Sequence, residues 1–376
     1  MLDHPKSSMT EYSRFLAQRQ FSSLDGVRCF CILAVLWHHS NPPTSPQILT
    51  RGFLGVDLFF VLSGFLIVTL LLREQSTVGR ISLRKFYARR ALRIFPLYYG
   101  LLLVLALAHG LFQSKDASSS SFFSILPIYV VYVSNWSLVQ ATGLDLTWSL
   151  ATEEQFYLFW PAIEKFSRKR VVYVVLGAII LINQLINFGC LDGWFIALYG
   201  SPAAIKLDIL DTTFTPICLG IGLAHLLQRQ QTFTLLFRGL GHRQTPIVLL
   251  LVLFGVINFS AIDISGFSRL LIQLLMTLWL GSLVVRENHT LQPLLLSPPI
   301  VRMGKISYGL YLYHIWVFMI VGNIARFASA RWGIVWPIPL FVTGTLLTVL
   351  ISEISYRFYE TPFLRWKNHW SWQPKP

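Results

Sequence analysis

Along the chain, mainly apolar stretches alternate with short joints of charge, Gly or Pro. They fall at 27–40, 53–72, 94–112, 122–138, 148–164, 171–190, 209–228, 246–262, 268–285, 307–325 and 334–356. Apolar runs approaching about 20 residues match the hydrocarbon thickness of a bilayer. The pattern predicts an all-α integral membrane protein with about ten transmembrane helices. There is no repeat of fixed period and no hydrophilic stretch long enough for a second fold. A cytoplasmic segment at 1–23, one membrane domain at 24–366 and a cytoplasmic tail at 367–376 are therefore expected. The first 23 residues are polar and show no cleavable leader, so the first span is expected to act as its own insertion signal.

Basic residues decide between ten crossings and eleven, because Lys and Arg concentrate on the cytoplasmic side. If 122–138 does not cross and the N-terminus is inside, 25 of the 31 Lys and Arg fall inside. If it crosses, every later joint changes sides and the split becomes 15 against 16. The bias survives only with ten crossings and both termini cytoplasmic. The segment 122–138, with Pro127 and Asn135 among aromatic residues, is then expected to be re-entrant or interfacial, which is allowed where protein covers its backbone.

Composition removes other classes. The 376 residues are 54% hydrophobic and 13% charged, with a mean hydropathy of +0.57, which excludes a soluble enzyme on a single anchor. Basic residues at the ends of spans are what membrane orientation requires, so the pI near 9.8 is no sign of nucleic acid, and no nucleic-acid partner is expected. Cys29, Cys31, Cys190 and Cys218 have neither metal-ligand nor disulfide-framework spacing and read as small packing residues.

Several polar residues interrupt the apolar pattern. From Arg28 to His39 the first span advances about three helical turns, which puts both on one face roughly 16 Å apart and rotates His38 away. An ionisable residue near mid-membrane is a functional candidate that faces the bundle; the alternative is a His satisfied by a neighbouring helix. The segment from Arg73 to Arg93 is basic apart from Glu74, and Arg90 and Arg93 share a helix face. Positive-inside orientation alone explains a basic joint. The preference for Arg over Lys additionally fits bidentate phosphate binding, as of coenzyme A. Asp57 and Ser63 lie in the second span with Gly52, Gly55 and Gly64, which allow close helix approach. Glu153 and Glu154 are adjacent, so only one of them can face the bundle squarely. Ser307, Tyr311 and His314 begin a late span, the last two a turn apart. Glu360 and Arg365 read as a structural salt link.

Taken in order, these segments resemble the acyltransferase-3 family of multi-pass membrane O-acyltransferases, over about 24–366. The family's basic residue, ten intervening residues and His match Arg28 and His39, and its RxxR matches Arg90 and Arg93. GVDLFFVLSGF at 55–65, WSLATEEQFY at 148–157 and SYGLYLYH at 307–314 complete the series. The doubled His38–His39 and Tyr313 are departures outside the matched positions.

The resemblance implies transfer of an acyl group, often acetyl, from cytoplasmic acyl-CoA to a hydroxyl of a cell-envelope or exported saccharide, which can be lipid-linked. It implies a cell-membrane location, acyl-CoA as co-substrate, and neither a metal nor a permanently bound cofactor. His39 would be general base or acyl carrier. Arg28, Arg90 and Arg93 would hold the donor, and Glu153 or Glu154 and His314 would relay protons or bind acceptor hydroxyls. Asp57, Ser63 and Tyr311 are further membrane-embedded candidates. Some relatives carry an extracytoplasmic esterase-like domain. Since none follows in these 376 residues, the expectation is that the chain completes the reaction alone or with a separate extracytoplasmic partner. The alternative, a secondary transporter of a small anionic or acylated solute, predicts two similar halves, which the sequence does not display.

Overall fold

The computed structural model describes residues 10–18, 20–40, 47–112, 117–137, 141, 143–199, 214–261, 264–333 and 340–370. Lys6, Lys206, Lys375, the starts of the windows at 209 and 334, and the tail beyond Trp370 lie outside the described residues. All regular structure among the described residues is helical. The elements are α1 (Glu11–Ala17), α2 (Ser23–Ser40), α3 (Gln47–Thr50), α4 (Leu54–Val78), α5 (Leu83–Phe112), α6 (Ala117–Val130), α7 (Thr147–Phe166), α8 (Lys169–Asn187) and α9 (Asp192–Tyr199). They continue with α10 (Thr215–Gln228), α11 (Gln230–Leu240), α12 (Thr245–Phe259), α13 (Gly266–Val285), α14 (Gln292–Leu295), α15 (Pro298–Lys305), α16 (Ser307–Trp332) and α17 (Leu340–Ser355). A π-helical stretch, Tyr356–Glu360, then leads into α18 (Thr361–Lys367).

Each expected apolar window holds a helix. Six helical runs are long and apolar enough to span a bilayer by themselves: α4, α5, α8, α13, α16 and the run from Leu340 to Trp370. A seventh is added if α11 and α12, bent by 73°, form one span. The remaining windows are shorter or more polar. Thus α10 has 14 residues, α2 carries Arg28, His38 and His39, and α7 carries Glu153 and Glu154.

Glycine sets a close contact between α4 and α10. A Cβ at Gly64 would overlap the carbonyl oxygen of Ile217, and one at Gly220 that of Val61, so the two backbones touch where any side chain would part them. Gly55 meets the Cys31 carbonyl of α2 in the same way. Three cysteines are buried, in keeping with a packing role, whereas Cys190 is exposed; all four are free.

Tyr98, halfway along α5, fixes the course of the segment 122–146. Its hydroxyl donates to Tyr129 O at 2.9 Å, at the end of α6, and it also meets Thr147, the first residue of α7. Nearer the end of α5, His109 stacks on Phe122 with centroids 4.2 Å apart. Near its beginning, Tyr87 Oη donates to Leu158 O at 2.7 Å. Both α6 and α7 therefore run antiparallel to α5, and α7 continues in the direction α6 began. Their joint turns through Tyr132, whose φ of 56° is unusual for a bulky residue. Gln155 holds the turn: its Nε2 donates to Tyr132 O and Asn135 Oδ1, both at 2.7 Å, and its Oε1 accepts from Trp136 at 3.1 Å.

Two basic residues near the starts of α4 and α13 are satisfied inside the fold. Arg269 Nη2 lies 3.4 Å from Asp57, which also accepts from Gln273 at 3.3 Å. Buried Arg51 donates to the carbonyls of Ile257, Ser260 and Ala261 at the end of α12.

Candidate active site

Between α2, α4, α5, α7 and α16 lies a cavity of about 130 Å³. Arg28, Arg90 and Arg93 line one end. Ser63, Glu153 and Tyr157 follow, and Ser149 and Tyr311 line the part toward the middle of α16. Arg28 reaches it from the first turns of α2, held by Asp25 at 2.5 Å. Arg90 and Arg93 share a face of α5 just before Pro96, and the Arg90 guanidinium sits 3.7 Å over the Tyr157 ring.

The other basic residues of 73–93 divide by use. Arg73 donates to the carbonyls of Gln18 and Phe15. Arg89 pairs with Glu74 at 3.5 Å and donates to Trp370 O at 2.8 Å. Arg84 lies over the Trp370 ring. Arg80 is exposed. Of this run, the matched pair Arg90 and Arg93 are the two that line the cavity.

The adjacent acids separate. Glu153 lines the cavity beside Ser63 and Tyr157 and lies in the field of Arg90 and Arg93. The hydroxyls of Ser63 and Tyr157 also bond each other. Glu154 points instead toward the tyrosines of α5, the turn and α16; Tyr98, Tyr132 and Tyr308 all feel its charge, and its Oε1 is buried without a partner. Asp57 is not among the cavity residues. Its partner is Arg269, so the buried carboxylate is accounted for by packing of α4 on α13.

His39, the penultimate residue of α2, and His314 of α16 meet at 3.2 Å from Nδ1 to Nε2. His314 is fully buried. Its Nδ1 is 2.7 Å from Tyr311 O, a group that only accepts, so Nδ1 carries the hydrogen and Nε2 presents a lone pair. His39 Nδ1 must then be the donor, and it shares its hydrogen with Val35 O at 3.0 Å. His39 Nε2 is left with a lone pair on an exposed ring, a base or nucleophile set in one tautomer by its neighbours. His38 turns away as expected, onto Thr50 O at 2.8 Å and the Phe53 ring. His39 is not itself a lining residue of the cavity. Tyr311 connects the two, lining the cavity with its ring 5.8 Å from that of His314. Its hydroxyl donates to Leu146 O at 2.8 Å and is 2.6 Å from Ser149 Oγ.

Tyr157 and Asp25 were missed by sequence reasoning. Tyr157 ends the WSLATEEQFY motif, and Asp25 stands a helical turn before Arg28. The expected link between Glu360 and Arg365 does not form. Glu360 accepts from Ser355 Oγ at 3.3 Å and Arg365 is exposed, because the π-helical stretch places Glu360 toward the bundle.

A histidine with a bare nitrogen is thus joined through a tyrosine to a basic cavity between helices. Residues 21–357 match the family model Acyl_transf_3, described as an acyltransferase domain, and the chain belongs to the acyltransferase-3 family. A Staphylococcus aureus (strain COL) protein named "Putative O-acetyltransferase" is 31% identical over 373 residues, covering 94% of this chain and 58% of its own length. The O-acetyltransferase OatA of Staphylococcus aureus (strain NCTC 8325 / PS 47) is 28% identical over 384 residues, covering 93% of this chain and 58% of its own. The chain thus spans a little over half the length of these curated relatives. No solved structure matches it.

Proposed function

We propose that the chain transfers an acyl group, acetyl in the first instance, from cytoplasmic acyl-CoA to a hydroxyl of a cell-envelope or exported saccharide. The carrying observation is the His39–His314 pair, one residue contact removed from a cavity whose far end is lined by Arg28, Arg90 and Arg93. Guanidinium groups grip phosphates in charge-assisted, often bidentate hydrogen bonds, so this end suits the pyrophosphate of the donor. The pantetheine arm would follow the cavity past Glu153 and Tyr311 toward His39. The names of the relatives support acetyl as the group transferred and an oxygen as its acceptor.

In the reaction, the acceptor oxygen attacks the thioester carbonyl, the C–S bond breaks, and the hydroxyl proton ends on the CoA sulfur. His39 Nε2 serves by taking that proton and returning it, or by carrying the acyl group itself between two half-reactions; both routes need the same lone pair. His314 fixes the tautomer. Glu153, beside Ser63 and Tyr157, keeps its charge next to Arg90.

The same reading places the protein in the cell membrane among lipids, with ten crossings and both termini cytoplasmic. It is supported by the 25 of 31 basic residues that this arrangement keeps inside and by the common direction of α6 and α7, which together amount to one crossing. The acceptor is a saccharide or lipid-linked saccharide, reached directly or through a separate extracytoplasmic partner.

Thermal unfolding of the purified, detergent-solubilised protein tests the donor assignment. Acetyl-CoA should raise Tm in a saturable way that sulfate and unrelated nucleotides do not match. Absence of that shift, with no acetyl transfer from labelled acetyl-CoA to envelope saccharides, would remove the proposal.

A further inference from the structure

The cavity and the histidine pair are separated by Tyr311 and the groups it bonds. Ser149 and Tyr311, both buried, stand at the end away from the arginines, with Val56 and Phe60 of α4 beside them. His39 and His314 lie beyond that end. From Tyr157, under the Arg90 guanidinium, back to Ser149 is about 12 Å along α7, and from Arg28 to His39 is about 16 Å along α2. Tyr311 lies one helical turn before His314, in keeping with that difference. The hydroxyls of Ser149 and Tyr311 therefore stand about one turn short of His39 on the way from the donor arginines.

The two hydroxyls are bonded to each other. Tyr311 Oη is 2.6 Å from Ser149 Oγ, and both reach Leu146 O, at 2.8 and 3.2 Å respectively. Each hydroxyl has one hydrogen, so two hydrogens serve three contacts and both are taken up within the group. The bonds tie α16 to the first turn of α7 across the end of the cavity. They are neutral, and individually weak enough to exchange. A thioester carbonyl arriving along the cavity accepts the same hydrogens, so it can release the pair without leaving either hydroxyl bare. Between donors, a closed end keeps two compartments apart. Arg28 and His39 lie toward opposite ends of α2, and an open passage between them would admit water to the thioester and let small ions through the bundle.

We propose that Tyr311 and Ser149 form a gate between the donor cavity and His39, shut by their bonds to each other and to Leu146 O and opened when those bonds are released. The proposal deepens the acyl-CoA reading above, which supplies what passes the gate; the gate itself is tested without coenzyme.

The test places a thiol on the arginine side of the gate, by Leu66→Cys at a cavity-lining position of α4 together with Cys190→Ser; Cys29, Cys31 and Cys218 are buried. Sealed vesicles of the full-length protein, in either orientation, are treated with a sulfonate-bearing methanethiosulfonate, which does not cross a bilayer. With Tyr311 and Ser149 in place the thiol should react from the arginine face and hardly at all from the His39 face. Tyr311→Phe and Ser149→Ala, each removing one hydroxyl with little change in packing, should each raise the His39-face rate about ten-fold. Tyr308→Phe removes a hydroxyl one turn earlier in α16, bonded to Ile94 O at 3.0 Å and outside the gate, and should leave that rate unchanged. Free reaction from the His39 face with Tyr311 and Ser149 in place would overturn the proposal, and so would an unchanged rate in either gate variant. An equal rise in Tyr308→Phe would overturn it in favour of a general loosening of α16. Acetyl-CoA added at the arginine face should protect the thiol. Absence of protection alone would tell against the coenzyme reading and leave the gate standing, since the face preference is read without any ligand.

Discussion

His314 Nε2 and His39 Nδ1 lie 3.2 Å apart across α2 and α16, and the carbonyl of Tyr311 on the far side of the buried ring fixes which nitrogen of each carries hydrogen. One ring is fully buried and the other is exposed, so the pair divides positioning from chemistry. His39→Ala should abolish transfer while expression and acetyl-CoA binding persist, and His38→Ala should retain most activity. His314→Ala should lower kcat by about 10² to 10⁴, the range for loss of acid–base function. His314→Gln, whose amide oxygen can still accept from His39, should recover part of it. Transfer assays on membranes matched for protein level decide; normal activity of His39→Ala would remove the central residue.

The donor site predicts a graded series on one helix and the turn before it. Arg90→Ala and Arg93→Ala should each weaken acetyl-CoA binding by about 1.5–3 kcal/mol, the loss of a charge-assisted contact. Arg80→Ala, exposed beside the left-handed Gly79, should change little. Calorimetric titration of the three variants separates a site from a general basic surface, since the latter would make them equivalent.

Asp57 belongs to stability. Removing one partner of a buried ion pair costs about 3–5 kcal/mol. Asp57→Ala should therefore lower Tm sharply, and Asp57→Ala with Arg269→Ala should recover part of the loss. Acetyl-CoA affinity of the folded fraction should be unchanged. A selective loss of affinity at normal Tm would return Asp57 to the active site.

The helices were legible because apolar windows and their polar joints are one-dimensional signals, and the three-turn spacing of Arg28 and His39 placed both on one face with His38 off it. Which of two adjacent acids faces the cavity was not legible. Successive residues on a helix diverge by about 100 degrees, so sequence alone shows that Glu153 and Glu154 separate, and only the neighbouring α4 and α5 show which way. The partner of Asp57 was not legible either: a carboxylate in an apolar span announces a partner, but Arg269 stands far along the chain. The course of 122–146 depends on Tyr98 touching two distant points of the chain, which no local pattern records.

His289, in the joint after α13, ties a pH response to the fold. The ring is buried, its Nε2 is 3.2 Å from Ser23 Oγ, and its Nδ1 has no partner, so burial holds it down to about 4 from an ordinary 6.5. A His with a depressed folded-state pKa contributes stability at neutral pH. That stability is lost as pH falls from about 6.5 toward 4, where the unfolded chain takes up the proton first. Tm should fall across that window, and His289→Gln should flatten this part of the slope. An identical slope in the variant would mean that other groups govern it.

Cys190 offers a test of orientation that needs no fusion. It is the exposed thiol, beyond the end of α8, while Cys29, Cys31 and Cys218 are buried. Asn187, at that same end, accepts from Gly266 N at 2.9 Å, at the start of α13, and Arg269 in the first turn of α13 pairs with Asp57 in the first turn of α4. These contacts put Cys190 at the end of the bundle opposite Arg28 and the donor arginines. With the cytoplasm on the arginine side, a membrane-impermeant maleimide should label intact cells, and Cys190→Ser should abolish the labelling. Modification of Cys190 only after permeabilisation would invert the bundle. The basic cavity would then open away from cytoplasmic acyl-CoA, and a cytoplasmic donor could not reach it.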